Sequence, residues 1–552
     1  MAIISKNIYF QEIQQSMPRI LNLLNRNPSS SDYGSFDREY WSYNSSDISN
    51  SRKQEAALTL ALIYTIKRHD NPYYNNSLIL EWINAVLIYT KNLQNKDGSF
   101  NEVYPNEHSF VATAFVSYSI SETALLLKGK VKKRASVIKY LKRAGDWLIA
   151  RDEVMALNQK AGSIIALHNI YLLTKNTRYK KGANAKLKEI LKSQSKEGWF
   201  PEYDGADIGY LSLCIDYLAK YYKKTKDRRL SPHLRKAVDF IIYFMAPDYT
   251  TGGEVGSRNT EYIIPHGFEL LSGKTQNAKT ISHFIRNAIN YRKTLSPKTI
   301  DDRYLLFNSY TYLQAYIDGT DYEKYRDWPP NRQFLKYFEG AGIAIRKGNN
   351  NYSIINTNKG CVSKIIFDKN KSLNDGGMVV ILTNGEKLSS NYLGKNDKIR
   401  IGKNKIEIKR RLLKVRSTSL NPYSFLAFRI FQLTFGKVGF ISRNVRNLIR
   451  KKIIRQKNKM ADIEFSRILE FKDNKVIIRD EIKPIEDINS IIISSKLSFV
   501  FTESSRFFQI SDLESKPFLI NKKTLSGFYS KNRVHFYREY NNKGNLVKSR
   551  LD

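Results

Sequence analysis

The feature that most constrains this chain is a short motif that returns between stretches of helical periodicity. It reads Gly34-Ser-Phe-Asp-Arg-Glu-Tyr-Trp41, then Asp97-Gly-Ser-Phe-Asn-Glu-Val-Tyr104, then Glu197-Gly-Trp-Phe-Pro-Glu-Tyr203. A degenerate fourth copy is Gly252-Gly-Glu-Val-Gly-Ser-Arg-Asn-Thr-Glu-Tyr262. The copies fall one or two helical hairpins apart, the period of a repeated supersecondary unit, so stacking the hairpins should gather the equivalent loops at one mouth.

Between the copies, apolar residues recur at steps of three and four over 54–68, 77–93, 109–127, 134–150, 162–173 and 187–193. In the second stretch Leu78, Trp82, Val86 and Ile88 or Tyr89 fall near one face while Glu81 and Asn84 lie elsewhere, so each helix must bury a stripe against neighbours. The expectation is an N-terminal α/α-toroid, an incomplete helical barrel, over residues 1–335. Its boundary is set by Asp327-Trp-Pro-Pro-Asn331, because proline removes an amide donor and restricts the residue before it. Beyond it come short alternating runs such as 352–356, 362–367, 378–382, 405–409, 476–479 and 491–494, separated by Asn-Gly, Gly-Gly and Asp-Asn turns. These predict an antiparallel β-sandwich over 336–552. An insertion at 424–459 breaks the pattern: Phe425, Leu426, Phe428, Phe431, Leu433 and Phe435 precede a basic run without a carboxylate, which reads as one or two basic amphipathic helices.

Charge narrows the partner. The net charge of +39, from 91 Lys and Arg against 52 Asp and Glu, attracts polyanions: nucleic acid, anionic lipid or acidic polysaccharide. The chain carries no RNA-recognition signature, zinc-finger spacing or helix-turn-helix reader, so no specific nucleic-acid contact is expected. Cys214 and Cys361 are the only cysteines, which suggests neither a disulfide framework nor a thiolate metal site. Walker A, dinucleotide-binding, Gly-x-Ser-x-Gly and His-Glu-x-x-His motifs are missing, and neither a cofactor nor a metal is expected. The N-terminus lacks a basic region followed by an apolar core, and no apolar run reaches the roughly 18 residues of a membrane span. The expected location is therefore cytoplasmic, with the 424–459 segment either resting on an anionic inner-membrane surface or packed on the toroid.

The loops carry the chemistry-bearing residues. Asn106 and His108 stand at the start of the helix near Ser109, where a charged group is readily held, although capping explains Asn106 equally well. Tyr203 and Tyr210 flank the third loop as proton carriers or packing aromatics. The fourth loop concentrates Glu254, Arg258, Asn259, Glu261 and His266, in which an Arg and an amide suit a carboxylate and a histidine suits proton transfer, the alternative being an ion-paired loop. Arg38 and Tyr40 belong to the first loop and suit a sugar platform or a structural arm.

Together these features resemble the heparinase II/III-like proteins, polysaccharide lyases and lyase-like relatives with an α/α-toroid followed by a β-sandwich. The resemblance implies a carbon–oxygen lyase acting on an acidic polysaccharide or oligosaccharide. Its site would hold an Asn and a His from one loop, a Tyr from a later loop, and an Arg or His beyond. Asn106, His108, Tyr203 or Tyr210, Arg258 and His266 look like those positions. Arg258 and Asn106 would neutralise a uronate carboxylate, and His108 and Tyr210 would move protons during β-elimination. The chain departs from the family in lacking a His-x-His-x-Asp motif in the second domain, where His535 is the only histidine beyond residue 300. A non-catalytic or epimerase-type protein of cell-surface polysaccharide biosynthesis is the alternative reading.

Overall fold

Two kinds of helix alternate along the first three fifths of the chain, and their composition dictates which sits inside. The computed structural model describes residues 4–552 except 204, 370, 395–396, 416–420, 439–440, 443, 446–447, 449–458, 494–507, 510–511 and 514–515. In chain order the toroid helices are α1 (Asn7–Leu23), α2 (Arg38–Trp41), α3 (Ala56–Thr65), α4 (Ser77–Asn92), α5 (Phe110–Leu127), α6 (Arg134–Ala150) and α7 (Leu157–Thr174). They continue with α8 (Thr177–Lys192), α9 (Ile208–Thr225), α10 (Leu230–Ile241), α11 (His266–Leu271), α12 (Gln276–Asn290) and α13 (Asp302–Asp318).

Helices α3, α5, α7, α9, α11 and α13 are buried over most of their surface, whereas α1, α4, α6, α8 and α10 bury one stripe. A helix apolar all round belongs inside. The inner helices pack in succession, α3 on α5, α5 on α7, α7 on α9, α9 on α11 and α11 on α13, and α13 returns onto α3. The inner ring therefore closes, and α1 takes the outer position against α13. Helix α5 with its 3-10 extension, Phe110–Lys130, has the length and apolarity of a membrane span, but 78% of its most apolar stretch lies inside the toroid. Its small polar residues are accommodated there because their hydroxyls bond back one turn, Thr123 Oγ1 to the Ser119 carbonyl at 2.8 Å and Thr113 Oγ1 to the Ser109 carbonyl at 2.6 Å.

The repeated motif has a structural meaning of its own. Gly34, Gly98 and Gly198 adopt φ of +95°, +95° and +108°, and a Cβ on them would collide with the backbone of Ala85, Arg143 and Lys236 on the outer helices α4, α6 and α10. The phenylalanine two residues on, Phe36, Phe100 or Phe200, is buried beneath each turn. The Gly-x-Phe element thus locks each loop against an outer helix, and the residues that follow it are free to vary with function.

Among the described residues the second domain contains two antiparallel sheets. The first runs in order β1 (Phe334–Phe338), β2 (Ile343–Lys347), β3 (Tyr352–Asn356), β4 (Val362–Ile366) and β5 (Ser372–Asp375). The second contains β6 (Met378–Leu382), β7 (Lys387–Ser389), β8 (Lys398–Ile401), β9 (Lys405–Lys414), β10 (Met460–Lys472), β11 (Lys475–Lys483), β12 (Ile488–Ile493), β13 (Phe518–Asn521), β14 (Val534–Asn541) and β15 (Leu546–Leu551). Its order is β13-β12-β6-β7-β9-β10-β11-β14-β15, with β8 paired to β9. The expected toroid followed by antiparallel β-structure is the observed architecture.

The smaller sheet is covered on both faces. Ile343, Ile345, Tyr352 and Ile354 join the core of the toroid, while Ala344, Ile355 and Ile365 pack with Ile406, Ile408, Leu469 and Ile478 of the larger sheet. Strand β3 is consequently buried at every position. Between the sheets, buried Arg467 and Arg538 alternate with buried Asp375 and Asp480 in a closed ring of ion pairs 2.6–2.8 Å long. The excursion between β9 and β10 carries α14 (Pro422–Leu433), which rests against two toroid loops. Arg429 pairs with Asp47 at 3.2 Å, Phe428 meets the ring of Tyr104 edge-on, and Asn106 Nδ2 donates to the Gln432 carbonyl at 3.0 Å.

Candidate functional site

Every loop that enters an inner helix lies at the same end of the toroid, so six loops form one rim. Ser109, Asp207 and Asp301 cap α5, α9 and α13 by accepting backbone amides, which fixes where each loop releases its side chains.

On the second loop, the backbone of Asn106 and of His108 takes positive φ, 55° and 49°. His108 Nδ1 lies 2.8 Å from Asp97 Oδ2 and 2.9 Å from Ser99 Oγ, and its amide donates to Asn101 Oδ1 at 3.1 Å. Burial alone would raise the Asp97 carboxyl, but the hydrogen bonds from His108 and Ser99 hold it well below the usual carboxylate range. Asp97 is further fixed by the Trp147 indole at 2.9 Å. The imidazole is thus oriented through Nδ1, with Nε2 buried on its other side. The Asn106 side-chain amide is aimed at α14, and Ser442 Oγ donates to the Asn106 backbone carbonyl at 2.9 Å, so the excursion forms a wall over this loop.

The third and fourth loops are built as one unit. Asp207 accepts the Tyr210 amide at 3.2 Å through Oδ1, and the Arg258 and Thr260 amides through Oδ2, besides the Thr260 hydroxyl. Tyr203, at φ 49°, donates its amide to Met155, and the Arg258 guanidinium lies over the Tyr203 ring at 4.7 Å. Tyr210 meets Tyr262 edge-on at 6.1 Å. Behind them Glu202 accepts from Asn158 Nδ2 at 2.7 Å, and burial pushes its carboxyl well above the ordinary range.

Between these two groups stand residues that the motif reading did not single out. Glu102 bridges Arg303 at 2.6 Å and Arg52 at 3.6 Å. Arg52 lies over the Phe307 ring at 3.8 Å and pairs with Glu55 at 2.7 Å. Tyr304 stands within electrostatic reach of both Arg52 and Tyr262. The available signal was Arg52 and Glu55 in the Asn50-Ser-Arg-Lys-Gln-Glu run directly before an inner helix.

The remaining candidates lie elsewhere. Glu254 accepts from Asn391 Nδ2 at 3.0 Å and Asn259 from Lys359 Nζ at 2.6 Å, so both side chains face the β-domain. His266 opens α11 and is buried between Asp318, 2.7 Å from Nε2, and Asp216, 3.3 Å from Nδ1. Asp216 is six residues along α9 from Tyr210, about 9 Å down the axis, which places His266 inside the ring and not on the rim. Arg38 lies over Tyr43 at 5.3 Å and reaches the Asn22 carbonyl, and Tyr40 is half-buried beside it on α2. Among the described residues no cluster of His, Cys, Asp and Glu has metal-binding geometry.

Residues 41–264 match the family model described as ulvan lyase N-terminal domain, a stretch spanning four of the six loops. Two solved structures share the fold over nearly the whole chain. Xanthan lyase from Paenibacillus is 12% identical, with a TM-score of 0.52 over 90% of this chain and 47% of its own. Chondroitin AC lyase from Streptomyces coelicolor A3, solved with chondroitin sulphate, is 10% identical, with a TM-score of 0.54 over 89% of this chain and 68% of its own. The chain therefore spans about half the length of the xanthan lyase. No curated protein matches the sequence. Family model and fold agree that the chain is similar to the polysaccharide lyases, as the loop motifs implied.

Proposed function

We propose that this chain is a polysaccharide lyase that cleaves a uronate-containing glycan by β-elimination at the toroid rim. The observation that carries the reading is the Arg258 guanidinium seated over the Tyr203 ring, on a loop unit that also delivers Tyr210. Elimination needs this pairing: a cation to neutralise the carboxylate and so acidify the adjacent C5 proton, and a phenol to carry a proton at the same place. The likeness to lyases of xanthan and chondroitin supports an acidic polymer, and so does the chain's net charge of +39.

In this scheme Arg258 binds the carboxylate. A base removes the C5 proton, the electron pair forms the C4–C5 double bond, the C4–O bond breaks, and an acid protonates the departing oxygen. His108 and Tyr210 are assigned the two proton transfers, with Tyr203 beside them. Arg52 and Arg303, both paired to Glu102, line the path toward the second loop.

The test is the ultraviolet absorbance of unsaturated uronate during incubation with a panel of uronate glycans. Tyr210→Phe and His108→Ala should each lower the rate by about 100- to 10,000-fold, the span of a lost general acid or base. A rate unchanged in both variants, or silence of the wild type across the panel, would overturn the assignment.

A further inference from the structure

The excursion between β9 and β10 has an outer face that the fold leaves uncovered. Tyr423, Leu426, Ile430 and Leu433 follow one another at steps of three, four and three, and are 85, 58, 56 and 48% exposed. Such spacing puts them on one face of α14, and here that face points to water. Phe425, Phe435 and Val438 extend the exposed apolar surface along the chain. The opposite face is occupied: Gln432 is buried, and Phe428, Arg429 and Gln432 make the contacts with Tyr104, Asp47 and Asn106. The usual orientation of a surface helix is inverted, with its polar contacts inward and its apolar stripe outward.

The charge that the sequence carries on either side of α14 says what such a stripe suits. Between Glu407 and Asp462 the sequence holds no carboxylate, and from Arg429 to Lys459 inclusive it holds ten Lys or Arg. Lys437 is exposed directly beside Phe435 and Val438. An apolar protein partner would not require this charge, and an acidic glycan would not require the stripe. An anionic bilayer uses both, since apolar side chains enter the acyl boundary while cations meet the headgroups. At 12 residues, α14 extends about 18 Å, too short to span a membrane and of a length to lie along one.

We propose that α14 and the 3-10 turn after it form a docking surface for an anionic lipid bilayer. Because the inner face of α14 is fixed to the first two rim loops, docking would set the rim close to the lipid surface. The inference does not rest on the lyase reading.

Flotation of the full chain with vesicles of phosphatidylcholine alone, or of phosphatidylcholine with 30% phosphatidylglycerol, tests it directly. The wild type should float with the anionic vesicles and not with the neutral ones. The double variant Leu426→Asp, Ile430→Asp should lose at least ten-fold in apparent affinity, while its thermal midpoint stays that of the wild type because both side chains are exposed. Three outcomes would sink the idea: no flotation of the wild type, flotation untouched by the double variant, or loss in that variant of acidic-polysaccharide binding with vesicle binding intact. The second of these would reduce the effect to adhesion by net charge alone.

Discussion

His168 shows how a single residue reports on its place in the ring. It is buried on α7 against the rings of Tyr171 and Tyr221, and burial, assisted by the charges of Lys224 and Lys180, lowers its imidazole to about 4. Below pH 6.5 the unfolded chain gains a proton there that the folded chain refuses until about pH 4. Stability present above pH 6.5 is therefore lost across that window, by up to about 3 kcal/mol. Urea midpoints for wild type and His168→Gln should converge as the pH is lowered from 7 to 4; parallel curves would show that His168 does not titrate in this way. At this scale the sequence was partly legible. Arg258, Tyr203, Tyr210 and His108 reach the rim, whereas Glu254 and Asn259 are engaged by the β-domain, a contact from residues about a hundred positions later that no local pattern announces. His266 carried the right chemistry in the right motif, and only the three-dimensional depth of α11 removes it from the rim. Arg52 escaped notice because a cation before a helix is ordinarily a solvated residue, and here two phenylalanine rings cover it.

Among the elements, the loop pair held by Asp207 is the most exposed to a single change. Its carboxylate caps α9 and also fixes the backbone at Arg258 and Thr260. Asp207→Ala should cost about 1–3 kcal/mol, more than the roughly 1 kcal/mol of a cap alone, because buried amides of the neighbouring loop lose their acceptor. Ser109→Ala, which removes only a cap, is the control, and calorimetric midpoints of the two variants should differ accordingly. Equal losses would mean that the two loops are held together by something else. Helix α6 was read from periodicity with its observed limits, and α4 and α5 within a residue, because long apolar stripes dominate them. The first turns of α8 were missed because Thr-Arg-Tyr-Lys-Lys-Gly offers little apolar signal, its Tyr179 being the only large apolar anchor. The repeat itself was visible, but its meaning was divided: the glycine and phenylalanine serve the architecture, and the variable residues after them carry the site.

For the whole molecule, the two-domain order and the sheet class followed from the change in period near residue 330, whereas the closure of the ring and the inverted stripe of α14 did not, since both depend on where distant segments meet. The doubly covered five-stranded sheet has a consequence for how the protein comes apart. A sheet wedged between two partners cannot be abandoned by one without laying bare a surface that the other needs, so neither region should melt ahead of its neighbour. Scanning calorimetry should give one endotherm in place of two, and a pair of resolved transitions would show the halves to be thermally autonomous. The same wedge means that cutting the chain near residue 330 would not liberate a working ring: it would leave the greasy underside of one stranded by the loss of its lining. What the sequence presents as a domain boundary is, in the folded molecule, a seam sewn from both sides.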